Sequence, residues 1–225
     1  MELINGDWDA SPLPADWVAA LKFTDHFIMT PGPTPRHLRD TLINSFTNSQ
    51  LAELAIGVGL FHGFSKMLIG LGREPEEMET TIIPTPAMPS GKIEQVASSP
   101  HEFSNLFAYI PNIEVRWRTL ERSLSRMEAL PPNTFNVAKT RMRNLLVANK
   151  TSEPLRTPFT ELDTLAIEMS EYFTFDVRGI TSSVRSMFIE RYGADALVQL
   201  LFGLALYDGV FRTEATQILS YPPNA

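Results

Sequence analysis

Hydrophobic and polar positions in this chain follow a period close to 3.6 residues, which places every third or fourth side chain on one face of a helix. Segments 112–130, 134–147, 162–173 and 184–189 all show this pattern. In the first of them the apolar stripe consists of Ile113, Trp117, Leu120, Leu124 and Met127. Few segments alternate with the period of two that is typical of strands. The pattern therefore predicts an all-α fold.

The prolines mark where these helices are expected to begin and end. Proline disrupts a helix interior but is tolerated at a helix start, so a cluster of prolines predicts a loop or a boundary. Most of the 17 prolines lie in clusters at residues 12–14, 31–35, 84–89, 131–132, 154–158 and 222–223. The stretches between the clusters include helix-length segments, which agrees with the periodicity.

One apolar segment occurs twice. The segment LAELAIGVGLFHGFSK at residues 51–66 aligns without a gap with LVQLLFGLALYDGVFR at residues 197–212, an offset of 146 residues. The same offset carries the similarity upstream, so that residues 18–66 correspond to residues 164–212. Two copies are too few for a solenoid, and a pseudo-symmetric pair packed face to face is the natural alternative.

This repeat predicts one all-helical domain over residues 1–225, with two pseudo-repeated halves and bridging helices within residues 99–150. Each long apolar segment retains two glycines at equivalent places, which are Gly57, Gly63, Gly203 and Gly209. Glycine inside a helix costs about 1 kcal/mol relative to alanine. Their retention in both copies predicts close approach by a neighbouring backbone.

Composition and charge narrow the possible functions. The formal net charge of −7 argues against a nucleic-acid-binding surface, and the 44% of hydrophobic residues predicts a sizeable core. The chain contains no cysteine, which excludes disulfides, thiolate nucleophiles and cysteine metal sites. The N-terminus is acidic without an apolar signal core, and each repeated segment offers only about sixteen mostly apolar residues, short of a membrane span. We expect a soluble, cytoplasmic protein that binds neither nucleic acid nor membrane.

Four parts of the chain resemble the carboxymuconolactone decarboxylase and alkylhydroperoxidase D-like superfamily. They are the two repeated segments, the stretch LAIEMSEYFTFD with the helix at residues 180–192, and the stretch from residue 99 to residue 150. The resemblance implies an all-helical fold and a homo-oligomer.

Redox members of the family carry a Cys-x-x-Cys-x-x-x-His motif. In the best-matching stretch, NKTSEPLR, Asn149 and Ser152 stand for the cysteines and Arg156 for the histidine. A shift by one residue would use Ala148 and Thr151 instead, and neither register supplies a sulfur. The chain thus lacks the sulfur for thiol peroxidase chemistry, and Asn149, Ser152 and Arg156 become candidates for substrate binding.

Candidate catalytic groups come from the places where the two halves differ or pair. His62 lies in an otherwise apolar helix where the other half has Asp208, so the pair can form a general base with its orienting carboxylate. The alternative is a histidine that faces solvent or bonds to a neighbouring carbonyl. Glu171 and its counterpart Asp25 can share a site in which one acts as an acid.

For that second pair the favoured alternative is an ion pair with the equivalent basic residues, Arg185 and Arg39. Gln199, early in the second long helix, is expected to stabilise the start of that helix. No metal-binding motif and no cofactor fingerprint occurs in the sequence. The sequence therefore predicts a non-redox acid/base enzyme that acts on a small organic acid or lactone. The alternative is a catalytically silent homologue that binds a ligand or a partner.

Overall fold

The computed structural model describes residues 8–73, 102–147 and 159–219, and within these ranges the chain is helical and contains no strand. The prediction of an all-α fold is confirmed. The helices are α1 (Ala15–Met29), α2 (Arg36–Ser45), α3 (Asn48–Gly70), α4 (Ser104–Phe107), α5 (Pro111–Ser125), α6 (Pro132–Leu146), α7 (Glu161–Phe175), α8 (Ser182–Tyr192) and α9 (Ala194–Thr216).

Local sequence signals set most helix starts. Prolines lie just before or at the first residue of α1, α2 and α6, as the proline clusters predict, and the isolated Pro111 begins α5. Helices α3 and α7 begin with capping boxes, in which Thr47 and Thr160 accept a hydrogen bond from the third helical residue. Glycine with a positive φ of 90° separates α8 from α9 at Gly193.

The helix boundaries recur with the same offset as the sequence. Helices α1 and α7 coincide residue for residue after a shift of 146, and so do α3 and α9, while α8 is one residue longer than α2. Each series therefore runs as a helix of 15 residues, a shorter helix and a helix of 23 residues.

Helix α9 forms the centre of the core. It packs against α3 on one side and against α6 on another, and α6 in turn packs against α7. The main hydrophobic cluster surrounds α9 and includes Trp117, Met142, Phe173 and Phe211, each almost fully buried. A second, smaller cluster joins α1, α2 and the start of α3 around Phe23, Phe27 and Leu42.

One predicted helix is shorter than the periodicity indicated. The apolar stripe of residues 112–130 continues past the end of α5 at Ser125, because a buried side chain from α9 binds the backbone that follows. The Gln199 amide donates to the carbonyls of Leu124 and Met127, and its oxygen accepts from Leu130 N at 2.8 Å. The expectation that Gln199 stabilises its own helix start was therefore wrong.

Helices α3 and α9 are 23 residues long, so the expectation that the repeated apolar segments are too short to span a membrane was wrong. Length and composition alone are weak evidence for a membrane protein. In α9, 78% of the apolar stretch of 18 residues is buried inside the protein, as expected for a core helix, whereas in α3 the buried share of that stretch is 33%.

Candidate functional site

The two long helices cross with their backbones in contact. A methyl group added at Gly59 would lie 2.7 Å from Gly209 Cα, and one added at Gly63 would overlap the carbonyl of Ala205. The two contacts are equivalent under the 146-residue offset. Gly59 corresponds to Ala205 and Gly63 to Gly209, so the offset converts the contact of Gly59 with Gly209 into the contact of Ala205 with Gly63.

The expected close backbone approach is present at Gly63 and Gly209. The expectation was wrong at Gly57, where an added methyl group has no neighbouring atom within 4 Å, and at Gly203, where the neighbour is the side chain of Phe135.

Four polar side chains meet beside this crossing, and we call them the crossing cluster: His62 and Lys66 from α3, and Asp208 and Arg212 from α9. Asp208 is fully buried. Lys66 Nζ lies 3.1 Å from Asp208 Oδ1, and Arg212 Nε lies 3.0 Å from Asp208 Oδ2. One carboxylate thus binds two cations, and the predicted proximity of His62 to Asp208 is observed at 3.7 Å between Nε2 and Oδ2.

The two cations also bind the ends of the preceding helices. Lys66 Nζ donates to the carbonyl of Thr174 in the last turn of α7, and Arg212 donates to the same carbonyl and to those of Phe27 and Ile28 in the last turn of α1. The last carbonyls of a helix have no partner within the helix and carry partial negative charge. The crossing cluster therefore ties α1, α3, α7 and α9 together.

Burial controls the protonation of this cluster. It lowers the pKa of His62 from 6.5 to about 4, with Lys66 acting in the same direction and Asp208 opposing. His62 is therefore neutral at pH 7. Burial also lowers the pKa of Lys66 to about 8, against the attraction of Asp208. Lys66 remains mostly protonated at pH 7.

The cluster has limited capacity for acid/base chemistry. The distance from His62 Nε2 to Asp208 is beyond hydrogen-bonding range, and no residue in the described ranges forms a hydrogen bond with this nitrogen. The His62 side chain is 16% exposed, and those of Lys66, Asp208 and Arg212 are more deeply buried. The orienting contact that a histidine base needs is not formed in this structure.

A cleft of about 230 Å³ opens elsewhere, between α5, α6 and α9. We call it the α5–α6–α9 cleft. Its apolar lining comes from Leu124, Met127, Leu130 and Phe135. This combination of an apolar lining and a few polar groups is typical of small-molecule sites.

The polar side chains of the α5–α6–α9 cleft contact one another. Tyr207 donates its hydroxyl proton to Glu121 Oε1 at 2.7 Å. Burial and this carboxylate raise the pKa of Tyr207 above its usual range, so the phenol stays protonated. Lys139 Nζ lies 4.2 Å from the centre of the Tyr207 ring and 2.9 Å from Glu102 Oε2. An ammonium group, a phenol and a carboxylate therefore line one opening.

A second cleft, of about 200 Å³, lies between α4 and the end of α9. Its two carboxylates, Glu102 and Glu214, both bind Arg143. Neither cleft is lined by a residue of the crossing cluster.

The other predicted site residues are not brought to the crossing cluster. Glu171 Oε1 binds Arg141 Nε on α6 at 2.7 Å, in place of the expected Arg185, because α6 packs along α7. Its counterpart Asp25 accepts a hydrogen bond from the Trp8 indole. The expected ion pair of Glu171 with Arg185 is therefore wrong, and the two carboxylates have separate partners. Asn149, Ser152 and Arg156 lie outside the described residues.

Sequence reasoning missed several of the groups that matter. Lys66 and Arg212 end the two repeated segments, and their spacing of four residues from His62 and Asp208 is a signal that these side chains share a helix face. Glu121, Lys139 and Tyr207 come from three helices. Their contact depends on how α5 and α6 pack on α9, which no local pattern shows.

Among the residues that the structure describes, no group of three or more metal-ligating side chains occurs. No family model, curated protein or solved structure matches this chain.

Proposed function

We propose that this chain is a catalytically silent, ligand-binding relative of the carboxymuconolactone decarboxylase and alkylhydroperoxidase D-like superfamily. Its ligand, on this proposal, is a small hydroxy acid or lactone bound in the α5–α6–α9 cleft. The helix boundaries and the crossing contacts that recur with one offset support descent from an internally duplicated scaffold. The absence of cysteine from the sequence excludes thiol peroxidase chemistry.

The observation that carries this proposal is where the accessible polar groups lie. The crossing cluster uses its cations on helix ends and on Asp208, and it lines neither cleft. Lys139, Tyr207 and Glu121, in contrast, line an opening with an apolar lining. Binding is therefore better supported than catalysis.

The chemistry of the cleft defines the ligand class. The Lys139 ammonium group can donate to a carboxylate or a lactone carbonyl, and a carboxylate such as Glu121 can accept from more than one donor, including a ligand hydroxyl. The volume of about 230 Å³ is below the 300–1,000 Å³ of typical ligand pockets. A compact molecule with one acidic or carbonyl group and one hydroxyl fits these features.

Titration of ¹⁵N-labelled protein with 4-hydroxybenzoate and with α-hydroxy-γ-butyrolactone, each of which carries a hydroxyl beside its acid or carbonyl group, tests the proposal. We expect amide shifts to concentrate at residues 121–139 and 199–207. Lys139→Met and Tyr207→Phe should each weaken binding of the responding probe at least tenfold. Arg116→Met, an exposed position on α5 outside the cleft, is the matched control and should leave binding unchanged. Shifts that map elsewhere, or no shift with either probe, would contradict the proposal.

Acid/base catalysis at His62 and Asp208 is the second candidate function. The observation in its favour is that His62 Nε2 is neutral, unpartnered among the described residues and 3.7 Å from Asp208. Turnover of a panel of lactones and oxo-acids by the wild type and by His62→Ala tests it. Equal rates for the two proteins, or no turnover of any compound, would count against catalysis.

A further inference from the structure

Glu102 already binds the ammonium group that the proposed ligand would use. It lies just before α4, and its Oε2 accepts a hydrogen bond from Lys139 Nζ at 2.9 Å. Lys139 is the one cationic side chain that lines the α5–α6–α9 cleft within the described ranges, and Glu102 lines the second cleft instead. The charge of the cationic group in the α5–α6–α9 cleft is therefore balanced by a carboxylate outside that cleft.

A second cation holds Glu102 in this position. Its other oxygen, Oε1, accepts a hydrogen bond from Arg143 Nη1 at 2.6 Å. Lys139 and Arg143 lie four residues apart on α6 and so share one face of that helix, and Glu102 bridges them. Lys139 Nζ also lies 4.2 Å from the centre of the Tyr207 ring, which is a cation–π contact. A ligand that enters the cleft thus meets an ammonium group that is already paired and oriented.

The charged side chains that line the cleft, or that belong to the same series of ion pairs in the described part of the chain, are more negative than positive. They are three carboxylates and two cations: Glu121, Lys139, Glu102, Arg143 and Glu214. Burial raises the pKa of the Tyr207 phenol, and the carboxylates of Glu121 and Glu102 raise it further. The negative charge of Glu102 therefore acts on a group that lines the cleft, although Glu102 lies outside it.

We propose that Glu102 makes the α5–α6–α9 cleft selective for neutral carbonyl compounds that carry a hydroxyl, and against the corresponding carboxylates. The inference rests on the proposed function and narrows its ligand class. An ammonium group has three donors, so Lys139 can bind a neutral carbonyl oxygen and keep its bond to Glu102. A carboxylate must either displace Glu102 onto Arg143 or lie close to the like charges of Glu102 and Glu121. Both alternatives lower the affinity for a carboxylate.

Binding of 4-hydroxybenzoate and 4-hydroxybenzamide to the full chain at neutral pH tests the inference, because the two compounds have nearly the same shape and differ in charge. Their affinities are measured from the backbone amide shifts of residues 121–139 and 199–207. We expect the wild type to bind the benzamide about tenfold more tightly than the benzoate. α-Hydroxy-γ-butyrolactone and its hydrolysis product 2,4-dihydroxybutyrate form a second pair, whose neutral member has no amide donor, and should show the same preference.

Glu102→Gln keeps the shape of the side chain and removes its charge. It should raise the affinity for 4-hydroxybenzoate by up to about fivefold, the range of a partly exposed ion pair, and change the affinity for the benzamide much less. If Glu102 only held Lys139 in place, the same variant would weaken both compounds. Glu168→Gln is the control, since it makes an equal change of charge at an exposed position of α7 that lines neither cleft. It should leave the preference unchanged.

Salt dependence provides a second measurement. Salt screens the repulsion between charges that are exposed to solvent, so an increase in NaCl from about 20 to about 300 mM should tighten binding of the benzoate to the wild type. This change should be smaller in Glu102→Gln, and binding of the benzamide should respond little in either protein. Weaker binding of the benzoate at high salt would indicate a net attraction and would overturn the inference.

Three further results would overturn the inference and leave the proposed function standing. They are equal or tighter binding of the benzoate by the wild type, a preference that Glu102→Gln does not reduce, and a preference that the lactone pair does not share. Binding of none of the four compounds at the cleft would overturn the proposed function and this inference together.

Discussion

Substitution of Gly63 by alanine is expected to destabilise the protein, because the added methyl group meets backbone that cannot rotate away. It would overlap the Ala205 carbonyl oxygen and lie 2.9 and 3.2 Å from the carbonyl carbon and Cα of the same residue. Helices α3 and α9 must separate to accommodate it. That separation also strains the contacts of Lys66 with Asp208, which lie one turn along the same helix pair.

The magnitude follows from two opposing effects. Overpacking of a close contact costs about 1–3 kcal/mol, occasionally more, and rigid backbone places this case at the upper end. Replacement of glycine by alanine inside a helix returns about 1 kcal/mol. We expect a net loss of about 2 kcal/mol in the free energy of unfolding, which lowers the Tm of a chain of this size by about 4–8 °C.

Gly57→Ala provides the matched control, since it lies on the same helix with no atom in its way. The free energy of unfolding of this variant should rise by about 1 kcal/mol, from helix propensity alone. Urea unfolding followed by circular dichroism, in protein dilute enough to keep any dimer dissociated, measures both variants. A Gly63→Ala variant as stable as Gly57→Ala would refute the close crossing of α3 and α9.

Three further predictions concern buried polar groups. Asp208→Asn should lower the free energy of unfolding by about 3–5 kcal/mol, because it leaves two buried cations without their carboxylate. The control is Asp40→Asn, since the pair of Asp40 with Arg36 is exposed to solvent. It should lower the free energy of unfolding by less than about 1 kcal/mol in the same urea assay. Because the pKa of His62 is about 4 when folded and 6.5 when unfolded, the unfolded chain binds more protons between these values; stability should therefore fall by about 3 kcal/mol as pH drops from 6.5 to 4. His62→Gln should lack this component, and an NMR titration that gives His62 an ordinary pKa would contradict it. Gln199→Leu should lower stability by at least about 2 kcal/mol in thermal unfolding, since it strips hydrogen bonds from the carbonyls of Leu124 and Met127 and from Leu130 N; a neutral effect would show that water replaces the amide.

The positions of the helices were largely predictable because their signals are local. The proline clusters at 131–132 and the periodicity after them anticipate α6 at Pro132–Leu146. The end of α5 was not predictable, since the apolar period continues to Leu130 while the backbone leaves the helix at Ser125. The side chain that binds this backbone, Gln199, lies about seventy residues away.

The candidate site, like the helices, was only partly predictable from the sequence. The presence of histidine in one half and aspartate at the equivalent position of the other predicted a pair of His62 and Asp208, and these residues lie close together. The sequence did not show that Lys66 and Arg212 would occupy the same carboxylate and leave His62 without a hydrogen bond. That outcome depends on the geometry of the α3–α9 crossing and on the ends of α1 and α7.

The amino-acid sequence by itself determined the helical class of this protein, the spacing of its repeated helices and the absence of sulfur chemistry, because these depend on composition and on contacts within a few residues. Only the tertiary structure decided that α9 is buried on nearly every side while Phe61 and Leu68 of α3 are exposed. Helices with equivalent boundaries and similar sequences acquire different surroundings because, in the part of the chain that the structure describes, α6 packs along α9 and side chains of α5 contact it.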